Sequence, residues 1–469
     1  MWNFNSFSKR VALISEDGEK VLYSDLQSIT EKISSLVEKP ALVFSMCTNS
    51  IGSVAGYVSF MEGNIVPVLL NAHVETELYE NLLSIYRPNY IWRPVEENPS
   101  DDVVFSAYGY ELVKNSSDKH DINPELALML TTSGSTGSPK FVRQSRDNVR
   151  INAEQIVEYL GITSEEKPIT TLPMNYTYGL SIINSHLMAG ATILLTDKGL
   201  MQREFWQFFK DEGATSFGGV PYTYEMLDKL RFMRMELPTL RYMTQAGGKL
   251  SPELHKKFAE YAEEKGKKFI VMYGQCEATA RMAYLPAEDS LRKYGFMGVA
   301  IPGGKFELID ADGNVITEPN VSGELVYYGP NVTLGYAEKP EDLSLGDERN
   351  GRLDTGDMAI VDEEGYYKIV GRKKRFLKVY GNRVNLDELD GLIRTQYGNV
   401  NVVSAGYDDH VMVFVSKDER SINSDDIKKY LSEKTGLNPA AFKSVEIDSI
   451  PRNDSGKVLY RELEKYYEL

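Results

Sequence analysis

A loop rich in hydroxyl groups and glycine occurs in the first third of the chain. Residues 131–140 read Thr-Thr-Ser-Gly-Ser-Thr-Gly-Ser-Pro-Lys and follow a short apolar run at residues 128–130. Glycines let backbone N–H groups approach phosphate oxygens, hydroxyls add donors, and lysine neutralises charge without imposing one geometry. Gly134, Gly137 and Lys140 lack the spacing of G-x-x-x-x-G-K-[ST], which disfavours a P-loop NTPase. The loop predicts a polyphosphate site of another kind, with a flexible Ser/Gly linker as the alternative.

Six further segments complete an ordered set of motifs. They are Pro173–Gly179 (PMNYTYG), Gln245–Gly248 (QAGG), Tyr273–Thr279 (YGQCEAT), Leu353–Asp357 (LDTGD), Gly371–Asp390 and Pro451–Lys457 (PRNDSGK). Together with the loop, this set resembles the adenylate-forming superfamily, the AMP-dependent synthetases and ligases that include acyl-CoA synthetases, adenylation domains of peptide synthetases and firefly luciferase. The matches keep the family's order from residue 131 to residue 457, so chance agreement is very improbable.

The resemblance implies a two-step reaction. ATP and a carboxylic acid form an acyl-adenylate and release pyrophosphate, and the acyl group then passes to a thiol. The expected cofactors are ATP, Mg²⁺, and coenzyme A or the phosphopantetheine arm of a carrier protein. Because this family of reactions uses one site for both steps, the resemblance also implies a mobile C-terminal domain that rotates between them.

By the same resemblance, residues of several motifs are expected to contact the nucleotide. Glu277 follows an apolar run, where a carboxylate can hold Mg²⁺ on the phosphates because this hard cation prefers oxygen ligands. Thr132 is expected to join it at the metal. Asp357 is expected to accept hydrogen bonds from both ribose hydroxyls, as a bidentate carboxylate can, and Arg372 to contact the ribose as well. The expected nucleotide contacts are Thr132, Ser133, Gly134, Ser135, Thr136, Gly137, Lys140, Gly247, Tyr273, Cys276, Asp357 and Arg372.

Three lysines match functional positions of the family. Lys457 is expected to stabilise the negative charge that gathers when a carboxylate attacks the α-phosphate, which a desolvated ammonium offsets. Lys374 aligns with the hinge of the mobile domain. Rotation would exchange Lys457 for the loop from Lys378 to Arg383, so Lys378 is expected to act in the second step.

The acid substrate is expected near Tyr176, Tyr178 and Gly248. Tyr176 stands where many acyl-CoA synthetases have a histidine or an aromatic gate, and simple packing is an equally good interpretation of this residue. Amino-acid adenylation domains typically place an aspartate at the position of Thr177, because a buried ammonium needs a partner. Thr177 therefore argues against an α-amino acid substrate.

Some positions depart from the family's pattern. Cys276 replaces the threonine that usually precedes the catalytic glutamate, and a thiol is a poorer hydrogen-bonding group than a hydroxyl. Phe141 replaces a common glycine and Arg146 a common histidine. We expect weaker phosphate contact at Cys276 and no loss of function.

Two other functions remain open. One is a stand-alone enzyme that adenylates an amino acid or a hydroxy acid and loads a partner carrier protein. The other is a non-catalytic nucleotide-binding protein that retains the fold, against which the joint presence of Glu277, Asp357, Arg372 and Lys457 argues.

The elements that position these motifs alternate along the chain. Apolar runs at residues 41–46, 65–70, 193–196, 214–220, 240–244 and 269–273 predict buried strands, with helical patterns between them at 202–212, 222–231 and 252–265. After residue 298, short apolar runs separated by turns such as Asp312-Gly313 predict hairpins. We therefore predict an α/β fold with a large adenylation domain of several subdomains at residues 1–371. A small mobile α+β domain at 372–469 is expected to follow it.

Composition and charge exclude other classes of protein. The chain has 469 residues, 52 Lys+Arg and 68 Asp+Glu, so its net charge is −16, which disfavours binding to nucleic acid or anionic lipid. Two cysteines cannot form a disulfide framework, and the five histidines have no metal-ligand spacing. The first ten residues lack the apolar core of a signal peptide, and no apolar run has membrane-spanning length. We expect a cytoplasmic enzyme.

Overall fold

The structure is a computed structural model that describes residues 1–96, 102–131, 140–380, 382–398, 400–417, 423–452 and 458–467. Several predicted site residues lie outside the described residues: Thr132, Ser133, Gly134, Ser135, Thr136, Gly137 and Lys457. Their roles stay predictions.

The described elements alternate strand and helix over the first 273 residues and are mainly strands after that point. The helices are α1 (Tyr23–Leu36), α2 (Ile51–Gly63), α3 (Thr76–Tyr86), α4 (Arg146–Leu160), α5 (Thr177–Met188), α6 (Arg203–Asp211), α7 (Pro221–Lys229), α8 (Pro252–Glu264), α9 (Leu386–Tyr397) and α10 (Ser424–Thr435). The first fifteen strands are β1 (Val11–Ser15), β2 (Lys20–Leu22), β3 (Leu42–Cys47), β4 (Val66–Asn71), β5 (Tyr90–Pro94), β6 (Val103–Ala107), β7 (Tyr110–Lys114), β8 (Leu126–Thr131), β9 (Phe141–Ser145), β10 (Ile193–Leu195), β11 (Ser216–Gly219), β12 (Tyr242–Gln245), β13 (Lys268–Tyr273), β14 (Ala283–Tyr284) and β15 (Val299–Ala300). The remaining strands are β16 (Lys305–Ile309), β17 (Val315–Ile316), β18 (Gly323–Tyr328), β19 (Gly335–Ala337), β20 (Arg352–Val361), β21 (Tyr367–Arg372), β22 (Phe376–Val379), β23 (Asn382–Asn385), β24 (Val402–Tyr407), β25 (His410–Ser416) and β26 (Phe442–Ile447).

The chain divides into two compact units. The first contains residues 1–305 and 327–353, and the second contains residues 306–326 and 354–469. These limits differ from the predicted boundary between residues 371 and 372, which stays a prediction.

The larger sheet of the first unit has the strand order β19-β9-β8-β4-β3-β5-β7-β6. Its centre is parallel, since β3 pairs with β4 and β5, and β4 with β8. All six residues of β3 are buried, as expected for a parallel strand covered on both faces. The predicted strands at residues 41–46 and 65–70 are therefore confirmed.

A second sheet of the same unit positions two of the predicted motifs. β11, β12 and β13 run parallel, so their carboxyl ends meet at one edge. The segments that leave that edge are Val220, residues 245–248 and residues 273–277. Pro221 and Pro252 begin α7 and α8, where the missing N–H of proline costs no hydrogen bond. The helices and strands predicted between residues 202 and 273 are confirmed.

The second unit is mostly β-structure with two helices. One sheet has the order β17-β16-β18-β20-β21, β22 and β23 form a hairpin, and β24, β25 and β26 form a further sheet. Gly313 and Gly365 have φ of 87° and 84°, the left-handed conformation that the predicted turns require of glycine. Apolar faces of α9 and α10 pack against residues of β24, β25 and β26 in one core. The mixed α/β fold is confirmed.

None of the described helices is both long enough and apolar enough to cross a membrane.

Candidate active site

Glu277 lies in a short turn directly beyond β13. The turn, a 3₁₀ helix at Cys276–Ala278, is held by the backbone carbonyl of Glu277, which accepts hydrogen bonds from Arg349 Nη1 at 3.0 Å and from Thr333 Oγ1 at 3.0 Å. Its carboxylate oxygen Oε1 accepts a hydrogen bond from the Tyr336 hydroxyl at 2.8 Å. Among the described residues, Oε2 has no hydrogen-bond partner. The half-buried carboxylate is thus fixed on one oxygen and open on the other.

Two cations lie against the tyrosine that holds this carboxylate. Lys140 Nζ is 3.8 Å from the centroid of the Tyr336 ring, and Arg349 Cζ is 4.6 Å from it. Lys140 also pairs with the exposed Glu338 at 2.9 Å. β19 pairs with β9, with Tyr336 opposite Val142, which explains why Lys140 at the end of the predicted phosphate loop lies beside Tyr336. The structure therefore brings Lys140 and Glu277 into one cluster.

Burial, and after it the neighbouring charge of Glu277, raises the pKa of Tyr336 to about 12. The phenol therefore stays protonated and donates to the carboxylate at neutral pH. Sequence reasoning missed Tyr336 and Arg349, which lie 59 and 72 residues from Glu277 along the chain. Their only local signal is Gly335-Tyr336, a short strand that extends the large sheet.

Two tyrosines predicted near the acid are packed at the start of α5. Tyr176 and Tyr178 are 8% and 3% exposed, and their ring centroids lie 6.3 Å apart with the rings edge to face. The Tyr178 hydroxyl is 2.8 Å from Thr244 Oγ1 on β12. Thr177 Oγ1 donates to the carbonyl of Thr279, close to the Glu277 turn. Burial raises the pKa of both phenols, so they are neutral.

The glycines after β12 allow a close approach to Tyr176. Gly247 has φ of 84°, and a Cβ atom there would lie 2.5 Å from the Tyr176 hydroxyl oxygen. Gln245 Nε2 donates to the carbonyl of Gly248 at 2.9 Å and fixes the turn. Tyr273, predicted beside adenine, accepts a hydrogen bond from Gln275 Nε2 at 3.1 Å. Gly247 and Gly248 thus follow β12, and Tyr273 ends β13. All three lie at the same edge of this sheet.

Arg281 is a further residue that sequence reasoning missed. It is 1% exposed and lies four residues beyond Glu277, and its guanidinium carbon is 4.3 Å from the centroid of the Tyr178 ring. Its Nε and Nη2 donate to Ser181 Oγ at 3.1 and 2.9 Å. An arginine in the segment after YGQCEAT was visible in the sequence, but its burial was not.

In the second unit, the predicted ribose ligands form a pair. Asp357 on β20 lies opposite Arg372 on β21, and Arg372 Nε donates to Asp357 Oδ1 at 3.2 Å. The Asp357 side chain is 5% exposed and that of Arg372 is 63% exposed. The Asp357 backbone N–H donates to Thr355 Oγ1 at 3.1 Å, which fixes the turn after Gly356. The spacing of 15 residues is bridged by the register of two antiparallel strands.

The predicted hinge and transfer lysines flank β22. Lys374 lies in a 3₁₀ turn at Lys373–Arg375, and its backbone alone is described. Lys378 is exposed on β22 opposite Arg383, and its backbone N–H donates to Asp408 Oδ1 at 2.8 Å. Between them, Arg375 is buried and donates to Asp387 at 2.6 Å and to Asp390 at 3.1 Å.

Comparisons with known proteins identify the family. The model of the family described as AMP-binding enzyme matches residues 2–337, well over half of the chain. The chain belongs to the AMP-binding enzyme family. The predicted membership of the adenylate-forming superfamily is thereby confirmed.

Curated relatives of this AMP-binding enzyme are CoA ligases. Oxalate–CoA ligase of Arabidopsis thaliana is 29% identical over 383 residues, which cover 78% of this chain and 71% of that protein. Peroxisomal OPC-8:0-CoA ligase 1 of the same plant is 28% identical, with coverage of 75% and 65%. Long-chain-fatty-acid–CoA ligase of Escherichia coli O157:H7 is 28% identical, with coverage of 74% and 62%. The predicted relationship to AMP-forming acid–thiol ligases is confirmed.

Solved structures share the fold of this AMP-binding enzyme. O-succinylbenzoate CoA synthetase (MenE) from Bacillus subtilis, in complex with its acyl-adenylate intermediate, has a TM-score of 0.77 at 21% identity and covers 97% of this chain and 95% of its own. ATP-bound MatB from Rhodopseudomonas palustris has a TM-score of 0.79 at 21% identity, with coverage of 99% and 97%. These likenesses establish the shared architecture.

The remaining cofactor predictions concern metal and thiols. Within the described ranges, no group of three His, Cys, Asp or Glu side chains could hold a metal ion. Cys47 and Cys276 are both buried, and they form no disulfide. A metal in this AMP-binding enzyme would therefore depend on one or two protein oxygens together with a substrate's phosphates, which is how Mg²⁺ usually binds.

Proposed function

We propose that this protein activates a carboxylic acid with ATP and Mg²⁺, releases pyrophosphate and transfers the acyl group to the thiol of coenzyme A. The observation that supports this most directly is the fixed Glu277 carboxylate with Lys140 in the same cluster, at the carboxyl edge of parallel strands. The relatives add weight because they are named as CoA ligases of acids that range from oxalate to long-chain fatty acids. That range leaves the acid itself open.

The Glu277 carboxylate fits a magnesium ion on the phosphates. Tyr336 occupies one of its oxygens and orients it, and the other oxygen is open to a hard cation. Together with Thr132, it would hold Mg²⁺, which neutralises phosphate charge during the reaction. Lys140 adds positive charge in the same cluster.

The other side chains have roles that follow from the family. We assign the adenine to Tyr273 and Gly247, and the ribose to Asp357 and Arg372. The α-phosphate is assigned to Cys276 and to the loop at residues 132–137. The Asp357 carboxylate is buried and oriented by Arg372, and a carboxylate can accept hydrogen bonds from both ribose hydroxyls.

Lys457 is assigned to the first step and Lys378 to the second. The Lys457 ammonium would stabilise the charge on the reacting α-phosphate. Lys374 would be the hinge between the two steps. The proposal also includes a carrier protein as an alternative acceptor to coenzyme A. It further includes a cytoplasmic location.

The decisive test measures pyrophosphate release from ATP over a panel of carboxylic acids with purified protein. Glu277→Gln should lower kcat/KM on the order of 100-fold and raise the Mg²⁺ concentration needed, because it removes the charged oxygen that faces the metal. Glu264→Gln is the matched control, since this carboxylate is 71% exposed on α8 and should change nothing. No pyrophosphate with any acid would contradict the proposal.

A second assay separates the two steps. Lys457→Ala should abolish acyl-hydroxamate formation, whereas Lys378→Ala should leave it intact and reduce thioester formation from the adenylate. Coenzyme A and a phosphopantetheinylated carrier protein are offered in parallel. If Lys457→Ala forms hydroxamate at the wild-type rate, the assignment of this lysine is wrong.

A further inference from the structure

Arg281 places a positive charge in the interior without a counter-ion. Its guanidinium donates to Ser181 Oγ, to Tyr159 Oη at 3.3 Å and to the sulfur of Met272, all of them neutral acceptors. In the ranges that the structure describes, no carboxylate oxygen lies within 4.0 Å of it. Three neutral acceptors share five N–H donors, so the hydrogen-bonding capacity is incompletely used.

Such an arrangement is costly when nothing else binds there. A buried charge is tolerated when it is paired and hydrogen-bonded, and an uncompensated one destabilises a fold. The other buried arginines of this chain obey the rule, since Arg143 pairs with Glu348 at 2.6 Å and Arg375 with Asp387 and Asp390. Arg281 departs from it, which points to an anion supplied by a ligand.

The position of Arg281 defines which ligand this is. The guanidinium carbon lies 4.3 Å from the centroid of the Tyr178 ring, and Nη2 donates to Ser181 Oγ, both residues being on α5. Tyr176 lies edge to face against Tyr178 and contacts the Gly247 turn. The segment that contains Arg281 begins with the Glu277 turn, and Thr177 ties α5 to it through Thr279. Arg281 therefore adjoins the tyrosines near which the acid is expected to bind.

We propose that the substrate is an acid with a second carboxylate and that Arg281 binds this second carboxylate while the first one reacts with ATP. This inference rests on the proposed ligase function. A guanidinium recognises a carboxylate through two parallel hydrogen bonds, which Arg281 can form by exchanging its neutral acceptors. Because Arg281 is buried and lies against the Tyr178 ring, the second carboxylate binds away from water, where the pair is strongest.

The test compares matched acids on the wild-type protein. Pyrophosphate release is measured with α,ω-dicarboxylates of increasing chain length, with monocarboxylates of equal carbon number and with the monomethyl esters of the same dicarboxylates. The proposal expects kcat/KM for the best dicarboxylate to exceed that of its ester on the order of 100-fold, since the ester keeps the shape and loses the charge. The preferred length then reports the separation of the two carboxylates.

Substitutions assign the preference to one residue. Arg281→Met removes the charge at similar size and should abolish the difference in kcat/KM between diacid and ester. Arg281→Lys retains the charge without the bidentate geometry and should keep part of the preference. Arg292→Met, at an arginine with a half-exposed side chain in the following segment, is the control that should leave the ratio unchanged.

The possible results separate this inference from the proposed function. Equal turnover of diacid and ester by the wild type, or an unchanged ratio in Arg281→Met, overturns the role of Arg281 and leaves the ligase function in place. No pyrophosphate with any acid overturns both. If Arg281→Met does not fold, the wild-type comparison and Arg281→Lys still decide, because a structural role alone predicts no preference for a second charge.

Discussion

Two buried arginines of the first unit differ in how their charge is neutralised. The Arg143 side chain is 0% exposed, donates to the carbonyls of Tyr336, Leu345 and Gly346, and pairs with Glu348. Arg281 is equally buried, and among the described residues its acceptors are a serine, a tyrosine and a methionine. Arg143 is therefore part of the fold, where it ties β9 to the segment after β19. The charge of Arg281, in contrast, has no counter-ion among the described residues.

This contrast separates structural charges from functional ones. A charge that the protein itself satisfies contributes to stability, and its removal leaves buried acceptors without donors. A charge that the protein leaves unsatisfied costs stability until a ligand arrives, so its removal affects binding more than folding. The two arginines can thus be distinguished by measuring both quantities on the same variants.

The largest expected effect is on the stability of Arg143→Met. This change removes a charged donor from four backbone carbonyls, and we expect the free energy of unfolding to fall by about 3–5 kcal/mol. Urea denaturation followed by circular dichroism measures it. Glu348→Gln is the matched control and should cost at most about 1 kcal/mol, because Glu348 is 53% exposed and screened by water. A loss below the control value for Arg143→Met would remove the contrast.

The next effect is a loss of stability in acid, due to a histidine near Arg281. His186 on α5 bonds the carbonyl of Ile182 and the hydroxyl of Tyr242, and burial lowers its pKa to about 4. Since the unfolded chain binds this proton near pH 6.5, the contribution is complete above that pH. It is lost as the pH falls toward 4, by up to about 3 kcal/mol.

His186→Gln keeps one donor and one acceptor and does not titrate, so it should flatten this part of the curve. Denaturation at a series of pH values from neutral to acid measures the slope for both proteins. His255, whose pKa burial also lowers to about 4, supplies a similar slope that stays in the variant. Identical slopes in wild type and variant would show that His186 binds its proton at the same pH in the folded state as in the unfolded state.

A smaller effect is expected on the stability of Arg281→Met. Replacing an uncompensated buried charge by an apolar side chain of similar size removes a desolvation cost and also removes the donors to Ser181 and Tyr159. These opposing changes leave a net effect of no more than about 1 kcal/mol in either direction. The same urea series measures it beside Arg143→Met. A loss as large as that of Arg143→Met would make Arg281 a structural residue.

The smallest effect is a change in the pKa of His186. The charge of Arg281 lowers this pKa in addition to the larger effect of burial. Arg281→Met should therefore raise it by a few tenths of a unit, which proton NMR of the imidazole can follow. Binding of a dicarboxylate to the wild-type protein should move it in the same direction, and no movement in either case would place the Arg281 charge too far away to act.

The sequence was sufficient where one short segment determines the outcome. The apolar runs that became β3, β4 and β13 were predicted because buried parallel strands need continuous apolar residues. The motif YGQCEAT placed Glu277 correctly beyond a strand. Asp357 of the motif LDTGD lies on β20. Spacing gave no indication of Tyr336 or Arg349, because strand pairing of β19 with β9 brings distant residues together.

The sequence by itself determined the family, the α/β alternation and the residue types that could bind a nucleotide, because each depends on local pattern and on the order of motifs. The tertiary structure alone decided that Asp357 meets Arg372 and that Tyr336 orients Glu277. It also decided that the charge of Arg281 is buried among neutral groups. These facts depend on strand register and on which side chains share the interior, and neither is a property of any single segment.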